Sequence, residues 1–551
     1  MQTDDRGEAA PRPPRTRWQR WRIPIIVLGV TIGVLLFLNH DHRLMTGGQT
    51  SEAAAPSARL VELLLVDGTN GTPIDGVAVT VGGGPADGLG GGRYSAHVPE
   101  GTQVGEVRAD GFRPAPLAAR QDAGQAMRLI PDIVQGVIFD SATGTPIARA
   151  TIRSEDVSVQ SEPNGRFTLE GVSADPRLEI SAAGYVATTV AAGDNVEVSA
   201  QMKQRELRAA YLTFYGVADK DLRGRVVDML NSGALNAVVI DVKGDRGYLL
   251  YKSEVPLANA IGATDITPFP EAPQFIADLK QRGVYTIARI VVMKDDVLSR
   301  NGPRVGLDVA TKDALTGGVW TDGERLGWVD PFREEVWVYN AAIAAEAIAN
   351  GFDEVQFDYV RFPTDPGAGT RLDRARFSQP ATDESRPQAI ADFLRRAQES
   401  VHAAGGALGI DVFGYVCWRD DDMGIGQHLE TLAGVVDYIS PMVYPSTFNG
   451  LPMQPSYPNS PAFPYETVFY SLQRARERVA GTGVAIRPWL QYFDHYPWAS
   501  GRRYGPNELA AQRRAVEELK LPGFMWWDPT NLYSYGPAAS APAVAIAGRS
   551  P

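Results

Sequence analysis

Glu354-Val355-Gln356-Phe357-Asp358-Tyr359-Val360-Arg361-Phe362-Pro363 is the stretch that decides the fold. Apolar, aromatic and β-branched residues surround one carboxylate, and Pro363 has no amide hydrogen with which to extend a sheet ladder. The pattern predicts a buried strand over 354–362 with Asp358 near its C-terminal end. Desolvating a carboxylate is costly, so Asp358 is either used or tied down as a cap for the following loop. Val238-Val239-Ile240-Asp241, Leu408-Gly409-Ile410-Asp411 and Met525-Trp526-Trp527-Asp528 repeat the pattern, each placing an Asp after three residues of buried-strand type. Four carboxylates at the ends of four strands point to one shared site, because a parallel α/β barrel collects its strand C-termini at one mouth.

Outward from these stretches the chain alternates strand and helix from about Arg208. Strands are expected at 209–214, 237–243, 285–293, 354–362, 408–415, 438–444, 486–493 and 523–528, and helices at 220–232, 272–282, 334–350, 387–404, 428–435, 465–480 and 507–519. Asp330-Pro331 is a start signal for the third helix, an N-cap followed by proline in the first turn. Eight strands with seven helices between them give an α/β fold, a (β/α)₈ TIM barrel over residues 205–535, with a flexible tail at 536–551. The segments 294–333, 364–385, 416–427 and 445–464 follow strand C-termini and are long, whereas returns from helix to strand are short, an asymmetry expected of an active mouth.

The N-terminal portion has a different grammar. Residues 1–22 carry Arg6, Arg12, Arg15, Arg17, Arg20 and Arg22, and Ile23–Leu38 are uncharged and almost wholly apolar, with Trp18 and Trp21 at the flank. Basic tail (1–22), transmembrane anchor (23–38) and linker (39–57) follow, with the arginine excess placing the N-terminus in the cytoplasm and the remainder outside the cell membrane. A cleaved signal is the alternative, although no small-residue cleavage site comes directly after Leu38. Next comes an internal repeat with an offset of 73 residues: Gly71-Thr72-Pro73-Ile74 recurs at 144–147, Gly92-Arg93-Tyr94 as Gly165-Arg166-Phe167, and Asp110-Gly111-Phe112 as Ala183-Gly184-Tyr185. Short alternating runs between turn residues predict two small all-β sandwiches, at 58–131 and 132–204. Their pattern resembles the carboxypeptidase-regulatory-like and prealbumin-type modules, which implies spacers; the glycines at 82–92 leave little aromatic surface for binding.

The net charge of −12 argues against nucleic acid as a partner, since phosphate neutralisation needs clustered Lys and Arg. Cys417 is the single cysteine, so no internal disulfide forms, and His402, His428 and His495 are scattered, so neither metal nor cofactor is expected. The barrel mouth is instead rich in aromatics: Tyr215, Tyr248, Trp320, Trp328, Trp418, Tyr444, Tyr457, Trp489, Tyr492, Trp498, Trp526 and Trp527. Such rings stack on the apolar faces of sugars while carboxylates and amides such as Gln491 bind hydroxyls, the lining expected of a glycan cleft. Strand alternation requires that Trp526 and Trp527 point to opposite sides.

Glycoside hydrolysis needs two carboxyls flanking the scissile bond, about 5–5.5 Å apart for retention and about 6.5–9.5 Å for inversion. Asp358 and Asp411 lie on successive strands and are the candidate pair. Asp358, with Arg361 nearby in sequence, is the expected nucleophile; Asp411, among Ile410, Val412 and Phe413, is the expected acid through desolvation. Asp241 with Lys243, Arg361, Tyr444, Trp489, Gln491, Trp527 and Asp528 are expected to position substrate, and Asp528 is a rival acid.

The motifs at 210–215, 236–243, 327–331, 356–363, 411–415 and 438–445 resemble a glycoside-hydrolase barrel family, similar to α-amylase- and α-galactosidase-type barrels, over roughly 208–535. The resemblance implies a nucleophilic Asp on strand four, which carries over to Asp358. It departs from the amylase pattern in lacking a Glu at the end of strand five, and from the galactosidase pattern in lacking a carboxylate on strand six. The resulting expectation is a membrane-anchored, extracytoplasmic glycosidase acting on an α-linked envelope polysaccharide or exopolysaccharide. A hydrolase of amino-sugar polymers of the endo-α-1,4-galactosaminidase kind is the enzymatic rival, and a non-catalytic glycan-binding or scaffold barrel is the alternative from another class.

Overall fold

The computed structural model describes residues 58–99, 105–117, 125–182, 184–364, 371–451, 456–494 and 501–536. The expected anchor at 23–38, with the basic tail and linker around it, and the C-terminal tail from 537 lie outside the described residues. Among those described, no helix is long and apolar enough to cross a membrane.

Eight parallel strands form the C-terminal barrel: β1 (Leu207–Leu212), β2 (Ala237–Lys243), β3 (Tyr285–Val291), β4 (Glu354–Asp358), β5 (Ala407–Phe413), β6 (Tyr438–Met442), β7 (Ala485–Ile486 and Trp489–Gln491) and β8 (Gly523–Trp527). Neighbours follow chain order, β8 pairs with β1, and the pairing of β5 with β6 closes the ring. Proline at 488 withholds an amide hydrogen at the interruption of β7. Alternation along each strand separates two cores. Tyr211, Val239, Ile287 and Met525 fill the interior, whereas Leu212, Ile240, Ile290, Phe357 and Trp526 face the helices. Trp527 joins the inner set and Trp526 the outer one, as the period of two requires.

Two backbone irregularities shape the strand ends at the mouth. β4 stops at Asp358 because Tyr359 adopts φ 51°, a left-handed conformation that leaves the ladder. The register of β2 against β3 shifts between Asp241 and Lys243, a bulge that sends these two side chains to opposite sides although they are two residues apart. The third long helix begins at Glu334 as expected, but Asp330-Pro331 does not cap it: Arg333 is the N-cap residue, and Asp330 accepts from Phe332 N at 3.0 Å and from Ser378 N at 2.6 Å and so closes loops. The loops after β3 and β4 are joined to each other: Lys312–Asp313 pairs antiparallel with Ala375–Arg376, and Trp320 Nε1 donates to Arg371 O at 3.1 Å.

The N-terminal part holds two seven-stranded β units, each with its own core, one around Leu65, Val81 and Val107 and the other around Ile138, Ile152 and Leu178. In both, the first strand pairs antiparallel with the fourth and parallel with the seventh. The repeat has a packing cause. Gly92 and Gly165 both take positive φ, and a Cβ there would lie 2.6 Å from Leu65 O and 2.5 Å from Ile138 O, and 3.0 Å from Pro73 and Pro146 respectively. The two sequence motifs of each copy therefore meet in space. The buried Arg113 guanidinium fastens the units together by donating to Pro131 O (3.0 Å), Ile133 O and Asn195 O (both 3.1 Å) and Gly193 O.

Candidate active site

The C-terminal ends of β2, β3, β4 and β5 bring Asp241, Arg289, Asp358 and Asp411 together inside the barrel mouth. All four are almost fully buried. Arg289 is the hub. Its Nη1 donates to Asp241 Oδ1 at 2.6 Å, its Nη2 donates to Asp358 Oδ2, and its Nε lies 3.8 Å from Asp411 Oδ2, too far for a hydrogen bond. That Nε is buried and has no hydrogen-bond partner.

Each carboxylate is aimed by a further contact. Asp241 Oδ2 accepts from the Tyr211 hydroxyl at 2.6 Å and from Phe214 N at 3.2 Å. Asp358 Oδ1 accepts from Tyr359 N at 2.6 Å, a bond to the very next amide that accompanies the left-handed turn at Tyr359. Asp411 Oδ1 accepts from Trp489 Nε1 at 2.6 Å.

One guanidinium cannot neutralise three buried carboxylates, and the titration behaviour follows from that shortfall. Burial and then the neighbouring Asp358 charge hold the Asp411 pKa well above the ordinary carboxylate range, against the opposing pull of Arg289 and the Trp489 N–H. Burial also raises Asp241, partly offset by Arg289 and the Tyr211 hydroxyl. For Arg289, burial opposes the charged form, but Asp241 and Asp358 outweigh it and hold the group cationic. Burial and the Asp358 charge thus favour the protonated form of Asp411, across from an Asp358 paired with Arg289.

A cavity of about 270 Å³ opens over Asp241 and Arg289 and is lined by Tyr211, Tyr215, Tyr248, Tyr359 and Trp527 among others. Trp527 stacks on Tyr211 with centroids 4.1 Å apart, and both rings face the Arg289 guanidinium, at 5.2 and 5.5 Å. Tyr215 is 59% exposed at the rim, a platform for an apolar sugar face. The Tyr444 hydroxyl is buried without a hydrogen-bond partner, and burial together with the Asp411 and Asp358 charges raises its pKa, so a polar group is left unspent beside the acids.

Several expected contacts are corrected. Lys243 is turned outward by the β2 bulge; its ammonium pairs with Asp295 at 2.6 Å and donates to Asn340 Oδ1 at 2.9 Å and Val291 O at 3.0 Å. Arg361 packs its guanidinium over Trp328, Tyr359 and Phe413 and donates to Phe362 O, so Arg289 and not Arg361 is the cation on Asp358. Gln491 is fully buried and fastens loops, accepting from Ser446 and donating to Phe493 O. Asp528 sits one residue out of phase with the inward Trp527, and its oxygens accept from Thr530 N, Thr530 Oγ1 and Tyr533 N, which removes it as a rival acid. Trp489 is buried and orients Asp411 instead of offering a stacking face. Trp320, Trp328 and Trp418 belong to the core, and Trp498 lies outside the described residues. Arg289 itself was legible as a charged residue within Ile287-Ala288-Arg289-Ile290, the same anomaly as the aspartates with opposite sign. Among the described residues no cluster of three or more His, Cys, Asp or Glu side chains is arranged to hold a metal ion, and the space between the three aspartates is filled by the guanidinium.

Comparison with curated proteins finds no match. Among solved structures, a hypothetical protein from Ruminiclostridium thermocellum ATCC 27405 is 33% identical over 37% of this chain and 97% of its own, with a TM-score of 0.32. The PgaB (BpsB) glycoside hydrolase domain from Bordetella bronchiseptica is 13% identical over 60% of this chain and 96% of its own, TM-score 0.45. A beta-N-acetylhexosaminidase from Bacteroides fragilis NCTC 9343 is 10% identical over 61% and 65%, TM-score 0.38. Residues 209–533, more than half of the chain and all of the barrel except the first two residues of β1, match the family described as "Putative glycosyl hydrolase domain", and the chain belongs to that family of glycosidases.

Proposed function

We propose that this glycosidase cleaves a polysaccharide with Asp358 as nucleophile and Asp411 as general acid, at the outer face of a membrane to which residues 23–38 anchor it. The observation that carries the reading is the unequal pairing around Arg289: Asp358 is bonded to the guanidinium, whereas Asp411 is beyond hydrogen-bond reach of it, and burial with the Asp358 charge raises its pKa. In the first step Asp358 attacks the anomeric carbon as Asp411 gives its proton to the departing glycosidic oxygen. In the second, Asp411 takes a proton from water, which cleaves the glycosyl ester with net retention. Tyr215, Tyr248 and Trp527 supply sugar-stacking faces. The α-linked envelope or exopolysaccharide substrate rests on the likeness of the strand-four aspartate. The anchor rests on the apolar run 23–38 behind six arginines.

The test is release of reducing sugar from a panel of envelope, storage and amino-sugar polysaccharides by the full-length protein in detergent and by its Asp358→Asn form. Hydrolysis that disappears in the variant, with the initial product keeping the substrate's anomeric configuration, supports the reading. Turnover that survives Asp358→Asn, or an inverted product, removes Asp358 as nucleophile. Protection of residues 58–551 from protease added to cells stripped of any outer membrane would refute the topology, which puts the barrel in the periplasm or outside the cell.

A further inference from the structure

Arg289 keeps one nitrogen out of the hydrogen bonds that hold it. Its Nη1 and Nη2 are spent on Asp241 and Asp358, carboxyls on the strands either side, β2 and β4, and two such bonds fix the plane of the guanidinium. The third edge, Nε–H, is buried without a hydrogen-bond partner, and Asp411 Oδ2 lies 3.8 Å from it. The other Asp411 oxygen is already taken, because Trp489 Nε1 donates to Oδ1 at 2.6 Å. An indole N–H only donates, so in the neutral acid Oδ1 is the carbonyl oxygen and the proton belongs on Oδ2. The oxygen that gives up the proton is therefore the one next to the unused N–H.

Charge conservation connects the two, on the reading of Asp358 as nucleophile and Asp411 as acid. When an Asp358 oxygen closes its bond to the anomeric carbon, the carboxylate charge is consumed in the ester. The bond from that carbon to the departing oxygen breaks, and the Asp411 proton goes to that oxygen, which leaves Asp411 as a carboxylate. The three carboxyl groups around Arg289 carry two negative charges before the step and two after it, but one charge has moved from Asp358 to Asp411. The guanidinium then loses its charged partner at Nη2 and has Nε–H open to the new one. Among the described residues no other cation pairs with Asp411. Glu354, which repels a charge there, is bonded to Arg487, and burial keeps the Tyr444 hydroxyl neutral, so neither can take up the role.

We propose that Arg289 is the positioning residue of both half-reactions: Nη2 holds Asp358 before the glycosidic bond breaks, and Nε–H receives Asp411 Oδ2 once the acid has given up its proton, holding it as the base of the second step. One cation suffices for three carboxyl groups because only two of them are charged at any stage.

Asp358→Asn removes the charge that the glycosyl ester removes and nearly keeps the shape, so it reproduces the second charge state without substrate. In crystals of the full-length protein grown in detergent near pH 7, the distance from Nε to Oδ2 should stay near 3.8 Å in the parent and close to about 2.9 Å in Asp358→Asn. Infrared titration gives a second reading. The protonated-carboxyl band that Asp411→Asn abolishes should titrate about 1–3 pH units lower in Asp358→Asn than in the parent. Arg289→Lys keeps the charge but has no Nε, and it should raise that midpoint by about 1–2 units in otherwise parental protein, the worth of one hydrogen bond to a charged group. That variant decides if Asp358→Asn does not fold. A distance that stays near 3.8 Å in Asp358→Asn, a water bound to Nε in both forms, or a midpoint that Arg289→Lys leaves in place overturns the proposal. Neither reading needs turnover. A protein that shows the closure but hydrolyses no polysaccharide refutes the nucleophile-and-acid reading, whereas an active enzyme whose gap stays open refutes the role of Nε alone.

Discussion

Replacing Arg289 by Met tests whether the guanidinium holds the barrel mouth together. Arg289 and its partners Asp241 and Asp358 are almost fully buried, and among the described residues no other cation pairs with either carboxylate. Breaking a buried pair by removing one partner costs about 3–5 kcal/mol, because the remaining charge is left in a poorly polarisable medium. Here three carboxylates lose one shared cation, so the upper half of that range is expected, a large part of the roughly 5–15 kcal/mol that stabilises a domain. The pH dependence has a definite sign. Asp241 and Asp411 have folded pKa values raised above the unfolded ones, so the folded state binds extra protons and loses stability as pH rises from the ordinary carboxylate value through the folded values. Without Arg289 these values rise further, so the deficit of Arg289→Met should be largest near neutrality and shrink by about half or more toward pH 4.5. Urea unfolding followed by tryptophan fluorescence reads the barrel, because apart from Trp18 and Trp21 every tryptophan lies within it. Adding Asp241→Asn should recover part of the loss. A deficit below about 1 kcal/mol, or one that is the same at both pH values, would refute the idea that Arg289 is an electrostatic keystone.

Asp411→Asn should lower kcat by about 10²–10⁴ and abolish the alkaline fall of the pH profile, since in the parent activity is lost as pH rises through the raised Asp411 pKa; an unchanged alkaline limb would reassign the acid. Lys243→Met should cost about 3–5 kcal/mol by stranding Asp295 while leaving KM of the folded protein unchanged, and a raised KM at unchanged stability would restore Lys243 as a substrate contact. Gly523→Ala places a Cβ onto Leu207 O at a residue with φ 100°, so β8 cannot close against β1; a loss of more than about 4 kcal/mol in melting or urea experiments is expected, and a soluble barrel of parental stability would contradict the closure geometry.

The barrel was legible because its signals are redundant. Glu354-Val355-Gln356-Phe357-Asp358 reads as buried strand on composition, and the same grammar recurs at each of the other seven strands with a helix between. The site was legible only as far as strand phase was respected. Asp358, Asp411 and Asp528 look alike when each is described as an Asp after three strand-type residues. Yet Trp527 points inward, which forces Asp528 to the other side, where it caps the loop to Tyr533. Lys243 fails for the converse reason: two residues after an inward Asp241 it should share its face, and only a bulge reverses it, a register event that no single-strand pattern announces. Arg361 is near Asp358 in sequence but turns toward Trp328 after the left-handed Tyr359, whereas Arg289 reaches Asp358 across a strand boundary.

The two backbone irregularities act on the same charge cluster. At β2 the bulge leaves Asp241 as the last inward residue and removes the ammonium that regular alternation would have placed beside it. Had Lys243 stayed inward, a second cation would stand near the three carboxyl groups, and the shortfall of positive charge that favours a proton on Asp411 would be relieved. At β4 the left-handed Tyr359 ends the strand one residue after Asp358 and lets that residue's own amide hold one carboxylate oxygen while Arg289 holds the other. A left-handed non-glycine residue costs about 1–2 kcal/mol, so the turn persists against a regular strand end that would be cheaper. Both departures push toward one cation for three carboxyl groups with Asp358 held at each oxygen, which is the charge state that the proposed acid and nucleophile require.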